Sequence, residues 1–238
     1  MSKKITINLM VALLFIFSGS ALGSVIYQES FEALGAGDTL PAGWTWGVQG
    51  VNDNGNTAVW SHFPGGAPSG AIYEVETGQG GPDQGDLTLR SYADYGADHN
   101  SASEIKTLLR YEHTVTADEA ALGTVSFAFD YKSIDIADAS RVYVSMNLIN
   151  GSDYSAISEV THQVTGADTL WTGETLTLDV SGQAGNILQV GTQIYTTQWS
   201  ASGLALDNID VQAIPEPATM GLIGLFGGGL MLARRLNV

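Results

Sequence analysis

The chain has 238 residues, with 25 Asp and Glu against nine Lys and Arg and a formal charge of −16, and its bulk repels nucleic acid and anionic membranes. It has no cysteine, which excludes disulfides and thiolate metal centres. Four of the nine basic residues (Lys3, Lys4, Arg234, Arg235) and one of the 25 acids (Glu216) lie near the ends, so residues 24–213 carry five basic and 24 acidic side chains, a formal −19. That surface suits divalent cations and neutral polymers such as glycans, and it equally suits plain solubility.

At the N-terminus, Lys3 and Lys4 precede an apolar stretch from Ile5 to Phe17 that only Thr6 and Asn8 interrupt. Small residues follow, with Ala21 and Gly23 placed for a cut before Ser24. The pattern predicts a signal peptide over residues 1–23, handled by the Sec export machinery. Residues 24–213 are then long enough for one domain with its own core.

This span reads as all-β. Short runs rich in Val, Ile, Thr, Tyr and Phe alternate with Gly, Asn, Asp and Pro clusters. The expected strands are Val25–Phe31, Thr57–Phe63, Ala71–Thr77, Leu87–Tyr92, Ile105–Val115, Thr124–Lys132 and Arg141–Asn150, then Ile157–Val164, Thr175–Val180, Leu188–Thr197 and Leu204–Gln212. Alternation is clearest in Val125, Phe127, Phe129 and Tyr131, which place one face inside while Ser126, Ala128 and Asp130 take the other. Ala117–Leu122 has room for one helical turn or two, and Asn150-Gly151 reads as the turn of a hairpin. With no internal repeat, these strands predict a two-sheet antiparallel β-sandwich of jelly-roll type. Gly65-Gly66 and Gly78-Gln79-Gly80-Gly81 read as loops and not phosphate cradles, since neither has a lysine or a following helix.

The segment 214–238 is different in kind. Pro215-Glu216-Pro217 leads into an uncharged apolar run from Ala218 to Ala233, closed by Arg234-Arg235. Sixteen helical residues reach roughly 24 Å, enough for one C-terminal transmembrane helix if the bilayer thins or the arginines snorkel. Motif, apolar helix and arginine pair together resemble the PEP-CTERM sorting signal of Gram-negative bacteria. The resemblance implies an exported protein held in the inner membrane until an exosortase cuts near Pro215-Glu216-Pro217, with Arg234 and Arg235 as the cytoplasmic flank.

Two further places resemble a family. Glu29-Ser30-Phe31-Glu32, Leu40-Pro41-Ala42-Gly43-Trp44, Asn52-Asp53-Asn54-Gly55-Asn56 and Trp60 are similar to the opening of the cleaved-adhesin and choice-of-anchor domains. Ala205-Leu206-Asp207-Asn208-Ile209 is similar to their closing strand and to that of MAM-like jelly rolls. The resemblance implies a calcium-containing jelly roll used in adhesion, with Glu32, Asp53 and Asp207 as the metal ligands. Glu32 on the first strand and Asp207 on the last meet if those strands pair at the sandwich edge. The same Asn and Asp residues also suit ion-free turns, and the Asn52 loop fails the EF-hand template.

Five tryptophans suggest a platform for sugar rings. Trp44 and Trp60 belong to the family-like opening and read as packing residues. Trp171 and Trp199 lie in turn-like surroundings and are the candidate glycan contacts. No nucleophile elbow, P-loop or zinc-binding helix is present, and His62, His99, His113 and His162 show no ligand spacing. Glu74 and Glu76, two apart on a strand, read as a solvated face. The chain therefore reads as an exported, non-enzymatic protein of the cell surface or extracellular matrix, adhesion-like and processed by exosortase. The alternative is a carbohydrate-binding module for exopolysaccharide. A glycan-active hydrolase would need two convergent carboxylates from separate strands.

Overall fold

A computed structural model describes residues 23–51, 57–64, 72–93, 104–137, 140–196 and 202–215. Residues 1–22, the chain from Glu216 onward, Asp53 and Trp199 lie outside the described residues. Among the described residues, twelve strands form two sheets in which every pairing is antiparallel. The strands are β1 (Ser24–Glu29), β2 (Trp44–Val51), β3 (Thr57–Pro64), β4 (Tyr73–Thr77), β5 (Leu87–Ala93) and β6 (Glu104–Thr114), then β7 (Gly123–Ile134), β8 (Arg141–Ile149), β9 (Ala156–Val164), β10 (Thr172–Asp179), β11 (Ile187–Thr196) and β12 (Ser202–Pro215). The first sheet has the order β10-β7-β12-β5-β4, with β1 also on β12, and the second is β3-β2-β6-β11-β8-β9. The chain passes between the sheets repeatedly from β6 onward, the interleaving that a jelly roll requires.

Period-two patterning places the core between the sheets. In β7, Val125, Phe127, Phe129 and Tyr131 are buried, and from β8 and β11 Val144, Met146, Leu148, Leu188, Val190 and Ile194 face them. Between β6 and β7 the chain makes helix α1 (Ala117–Leu122). Thr116 starts it with a capping box: its Oγ1 accepts from the Glu119 amide at 3.3 Å, and Glu119 Oε2 accepts from the Thr116 amide at 2.8 Å. Glu119 also holds His113 Nε2 at 2.8 Å.

Every expected strand is present, with ends shifted by up to three residues. One strand, β2, was not expected. Gly47 and Gly50 dilute its β character, but Trp44, Trp46 and Val48 do alternate inward, packing with the core. Trp44 is buried, donating its indole N–H to Tyr27 Oη at 2.8 Å beside the stacked Tyr27–Tyr111 pair. The hairpin at Asn150 joins β8 to β9, through a longer loop than a two-residue turn. At the other end, β12 continues through Ile214 and Pro215, which pair with Thr124 and Gly123. Among the described residues, no helix is long and apolar enough to cross a membrane.

Candidate functional site

On the outer face of the first sheet, β12 changes partner. Residues 202–206 pair with β5, and residues 209–213 pair with β1 on the same side. At the seam a bulge sets Asp207 opposite Asp130 and carries Asn208 to φ +48°. Asp207 points away from the core, yet it is 0 % exposed, with the loops that carry Glu32 and Asp83-Gln84 lying against the seam. Glu32, in the turn after β1 and not on the strand, accepts from the Asp86 and Leu87 amides at 2.8 and 2.7 Å, joining the exit of β1 to the entry of β5. Gln84 and Asn208 donate to Asp130 Oδ2 at 2.7 and 2.8 Å, and Asn208 also donates to the Asp83 carbonyl.

Asp207 is the unresolved charge of this seam. Its Oδ1 accepts from the Asn208 amide at 2.6 Å, while buried Oδ2 has no partner among the described residues. Burial pushes its carboxyl up to about 7; the Asn208 amide opposes this, and Glu32, Asp130 and Glu29 add to it. An orphaned, buried carboxylate oxygen amid other acids is a donor for a hard cation, so Asp207 and Glu32 fit the calcium expectation. Glu32 lies near enough to raise the Asp207 carboxyl, and β1 pairs with β12, although β12 runs inside the sheet and not at its edge. Among the described residues no three acidic or imidazole groups form a ready-made cage. The remaining oxygens would have to come from backbone carbonyls and water.

Trp171, the first candidate glycan contact, belongs to this same face. Its indole N–H donates to the Gln79 carbonyl at 2.9 Å, as does Lys132 Nζ at 2.7 Å, and Lys132 lies over the ring at 5.3 Å. Half-buried, it pins the loop that lies against the seam. Glu74 pairs with Arg90 in register, and Glu76 meets the same arginine at 3.5 Å.

The outer face of the second sheet is built differently. Register aligns its outward side chains in rows: Lys106, Tyr195 and Arg141; then Leu108, Gln193 and Tyr143; then Thr45, Arg110, Gly191, Ser145 and Thr161; then Glu112, Gln189, Asn147 and Glu159. Polar residues facing away from a core are normally exposed. Here Ser145 is 0 %, Gln193 3 %, and Gln189 and Asn147 6 % exposed, so this face is sunken. Gly191 leaves its floor without a side chain. A groove of about 430 Å³ is lined by Thr45, Leu108, Arg110, Glu112, Tyr154 and Gln189, among others.

Its polar groups form relays. Gln189 accepts from Arg110 Nη1 at 2.5 Å and donates to Glu112 at 2.6 Å; Gln193 donates to Glu159 at 2.5 Å and accepts from Tyr195 at 3.3 Å. Burial holds the Arg110 guanidinium below the ordinary arginine value, against the pull of Glu159, Tyr195 and Glu112. At the rim, Tyr154 is 70 % exposed at φ +58°. Asn150 and Asp153 fix its loop by accepting from Ser152 and Ser155, and the Tyr154 amide donates to the Asn150 carbonyl at 2.9 Å. A strained aromatic held out over a polar groove is a ready stacking platform. None of these groove residues was a candidate from sequence. The one available signal was two of the five basic residues of the body four apart on one strand, at Lys106 and Arg110.

No family model and no curated protein matches the chain. Solved structures do. The xylan-binding domain CBM22-1 of Paenibacillus barcinonensis Xyn10C is 13 % identical, with a TM-score of 0.44 over 82 % of this chain and 97 % of that one. The C-terminal family 22 carbohydrate-binding module of Clostridium thermocellum Xyn10B is 14 % identical, with a TM-score of 0.41 over 81 % and 94 %. The enzymatically active domain of bacteriophage CBA120 tailspike protein 4 is 11 % identical, with a TM-score of 0.43 over 71 % of this chain and 19 % of that one. This chain thus spans about a fifth of the tailspike domain's length. At these identities and TM-scores the likeness carries neither ligand nor activity across to this chain.

Proposed function

We propose that this protein is an exported, non-enzymatic polysaccharide-binding β-sandwich, and that the second sheet's outer groove is its binding surface. The observation that carries the reading is the sunken polar patch of Gln189, Asn147, Gln193 and Ser145, with an exposed aromatic at its rim. Sugar rings offer hydroxyls to such amides and a flat C–H face to a ring such as Tyr154. Adhesion, in this reading, is attachment to a matrix polysaccharide. Calcium at Asp207 and Glu32 is structural and lies on the opposite face, where it neutralises the seam and holds its loops.

Export through Sec and processing by exosortase at Pro215-Glu216-Pro217 deliver the protein from the inner membrane to the cell surface or matrix. Replacing those three residues with alanine leaves uncut protein in the membrane fraction; normal release of that variant contradicts the sorting step. For the body, the full-length protein in detergent is applied to an array of bacterial and plant polysaccharides. Binding to a glycan, lost in Gln189→Ala with Tyr154→Ala while the circular dichroism is retained, supports the groove. Binding to none, or binding that survives the double variant, removes it.

A further inference from the structure

The donor arrangement at Arg110 narrows the ligand class. We propose that the groove takes a polysaccharide containing uronic acids, with the Arg110 guanidinium receiving a sugar carboxylate; this rests on the polysaccharide-binding reading of the same groove. Arg110 spends Nη1 on Gln189, while its Nε–H is buried with no acceptor among the described residues. The guanidinium lines the groove with its donor set incomplete, and a planar carboxylate is the partner that meets such a fork with two hydrogen bonds. A neutral hydroxyl would satisfy one donor and leave the charge desolvated. A carboxylate satisfies two and neutralises it.

The protein's own carboxylates in the groove are already engaged. Glu112 is held by Gln189, Glu159 by Gln193, and Glu104 by Arg141. The described outward positions of this sheet carry three bases (Lys106, Arg110, Arg141) and three acids (Glu104, Glu112, Glu159), so the face is balanced on a body of −19. It is where an anionic chain meets least repulsion. Four residues along β6 from Arg110, about 13 Å away, Lys106 and Arg141 flank the Tyr195 ring at 5.1 and 4.5 Å. Arg141 already holds Glu104, so Lys106 is the second cationic place for a later uronate on the same chain.

The test is calorimetric titration of the full-length protein with hexasaccharides of galacturonate, glucuronate and mannuronate, each beside its carboxyl-reduced neutral counterpart. Calcium is left out so that no ion bridges sugar to the acidic surface. At least one acidic hexasaccharide is expected to bind tenfold or more tighter than its neutral partner. Arg110→Gln erases that preference, and Arg110→Lys, which keeps the charge without the planar edge, loses most of it. Neutral hexasaccharides that bind as well as the acidic ones, and depend on Gln189 and Tyr154, overturn the uronate proposal while the groove reading stands. If neither set binds, both fall.

Discussion

The two outer faces of this sandwich handle buried polar groups in opposite ways. On the first sheet a seam between β5 and β1 buries one acid, Asp207, and loops stapled by Glu32, Gln84, Asn208 and Trp171 lie against that seam. On the second sheet the polar groups are sunk in an open groove and satisfy each other through Gln189 and Gln193. On the proposed reading, a closed face with an unpaired carboxylate is where an ion would add stability. An open face with paired amides and a projecting tyrosine wants a ligand. Variants that strike one face and spare the other separate the two roles.

The largest effect is expected at the floor of the groove. Gly191 has φ +152°, and a Cβ there would collide with the Leu109 carbonyl oxygen. Gly191→Ala should cost roughly 3 kcal/mol or more, because the colliding atom is strand backbone that cannot swing aside. Thermal unfolding should show a fall of roughly 6 °C or more. An unchanged midpoint would mean that β6 yields to the added methyl and that the floor of the groove is not rigid.

Next comes Asp207. Its carboxyl titrates near 7 in the folded chain and near 3.9 unfolded, so the folded state binds the extra proton between those values. Its contribution to stability is present in full below about pH 4 and is lost as pH rises through 7. In chelator, the midpoint should therefore climb as pH falls from 8 towards 5, with on the order of 4 kcal/mol as the upper bound from this group. Excess calcium should raise the midpoint at pH 8 and lose effect on acidification, as protons compete for the ligand oxygen. Asp207→Asn should raise the midpoint at pH 8 in chelator and abolish the calcium response. A calcium rise that persists in that variant would place the ion elsewhere.

Trp171 ranks third, and it tests which face the sequence had in view. Its indole N–H holds the loop at Gln79, so Trp171→Phe should cost about 1 kcal/mol and weaken the calcium response. Glycan binding should be unaffected. A drop in glycan affinity with stability intact would return Trp171 to the sugar site that its turn-like surroundings suggested.

What the sequence made legible follows from the range of each signal. Val125, Phe127, Phe129 and Tyr131 announce β7 because alternation is a local property, and the same holds for β8 and β10. Trp44, Trp46 and Val48 alternate too, but Gly47 and Gly50 conceal β2. Asp207 and Glu32 were reached through short motifs that sit at the seam. Asp130 was not, since on an alternating strand it looks like any solvated residue; only the bulge at Asp207 brings it into play. Arg110, Gln189, Gln193 and Tyr154 belong to β6, β11 and the β8–β9 loop, so their convergence depends on register between distant strands. No spacing along the chain carries that information.

Tyr154 gives the smallest change in stability and the cleanest test of the open face. The ring is 70 % exposed and contributes little to the core, and its φ of +58° is one that alanine tolerates no better. Tyr154→Ala should therefore leave the thermal midpoint within about 0.5 kcal/mol of the parent. Binding behaves otherwise if the ring stacks on sugar, because a well-placed aromatic anchor is worth more than 1 kcal/mol. A loss of about tenfold in affinity is expected, with no change in the calcium response of the opposite face. Tyr154→Phe keeps the stacking surface and should retain most of the affinity; a loss as large as that of alanine would assign the role to the hydroxyl and not to the ring. Equal binding by all three proteins would move the ligand off this rim altogether, towards the Lys106, Tyr195 and Arg141 row.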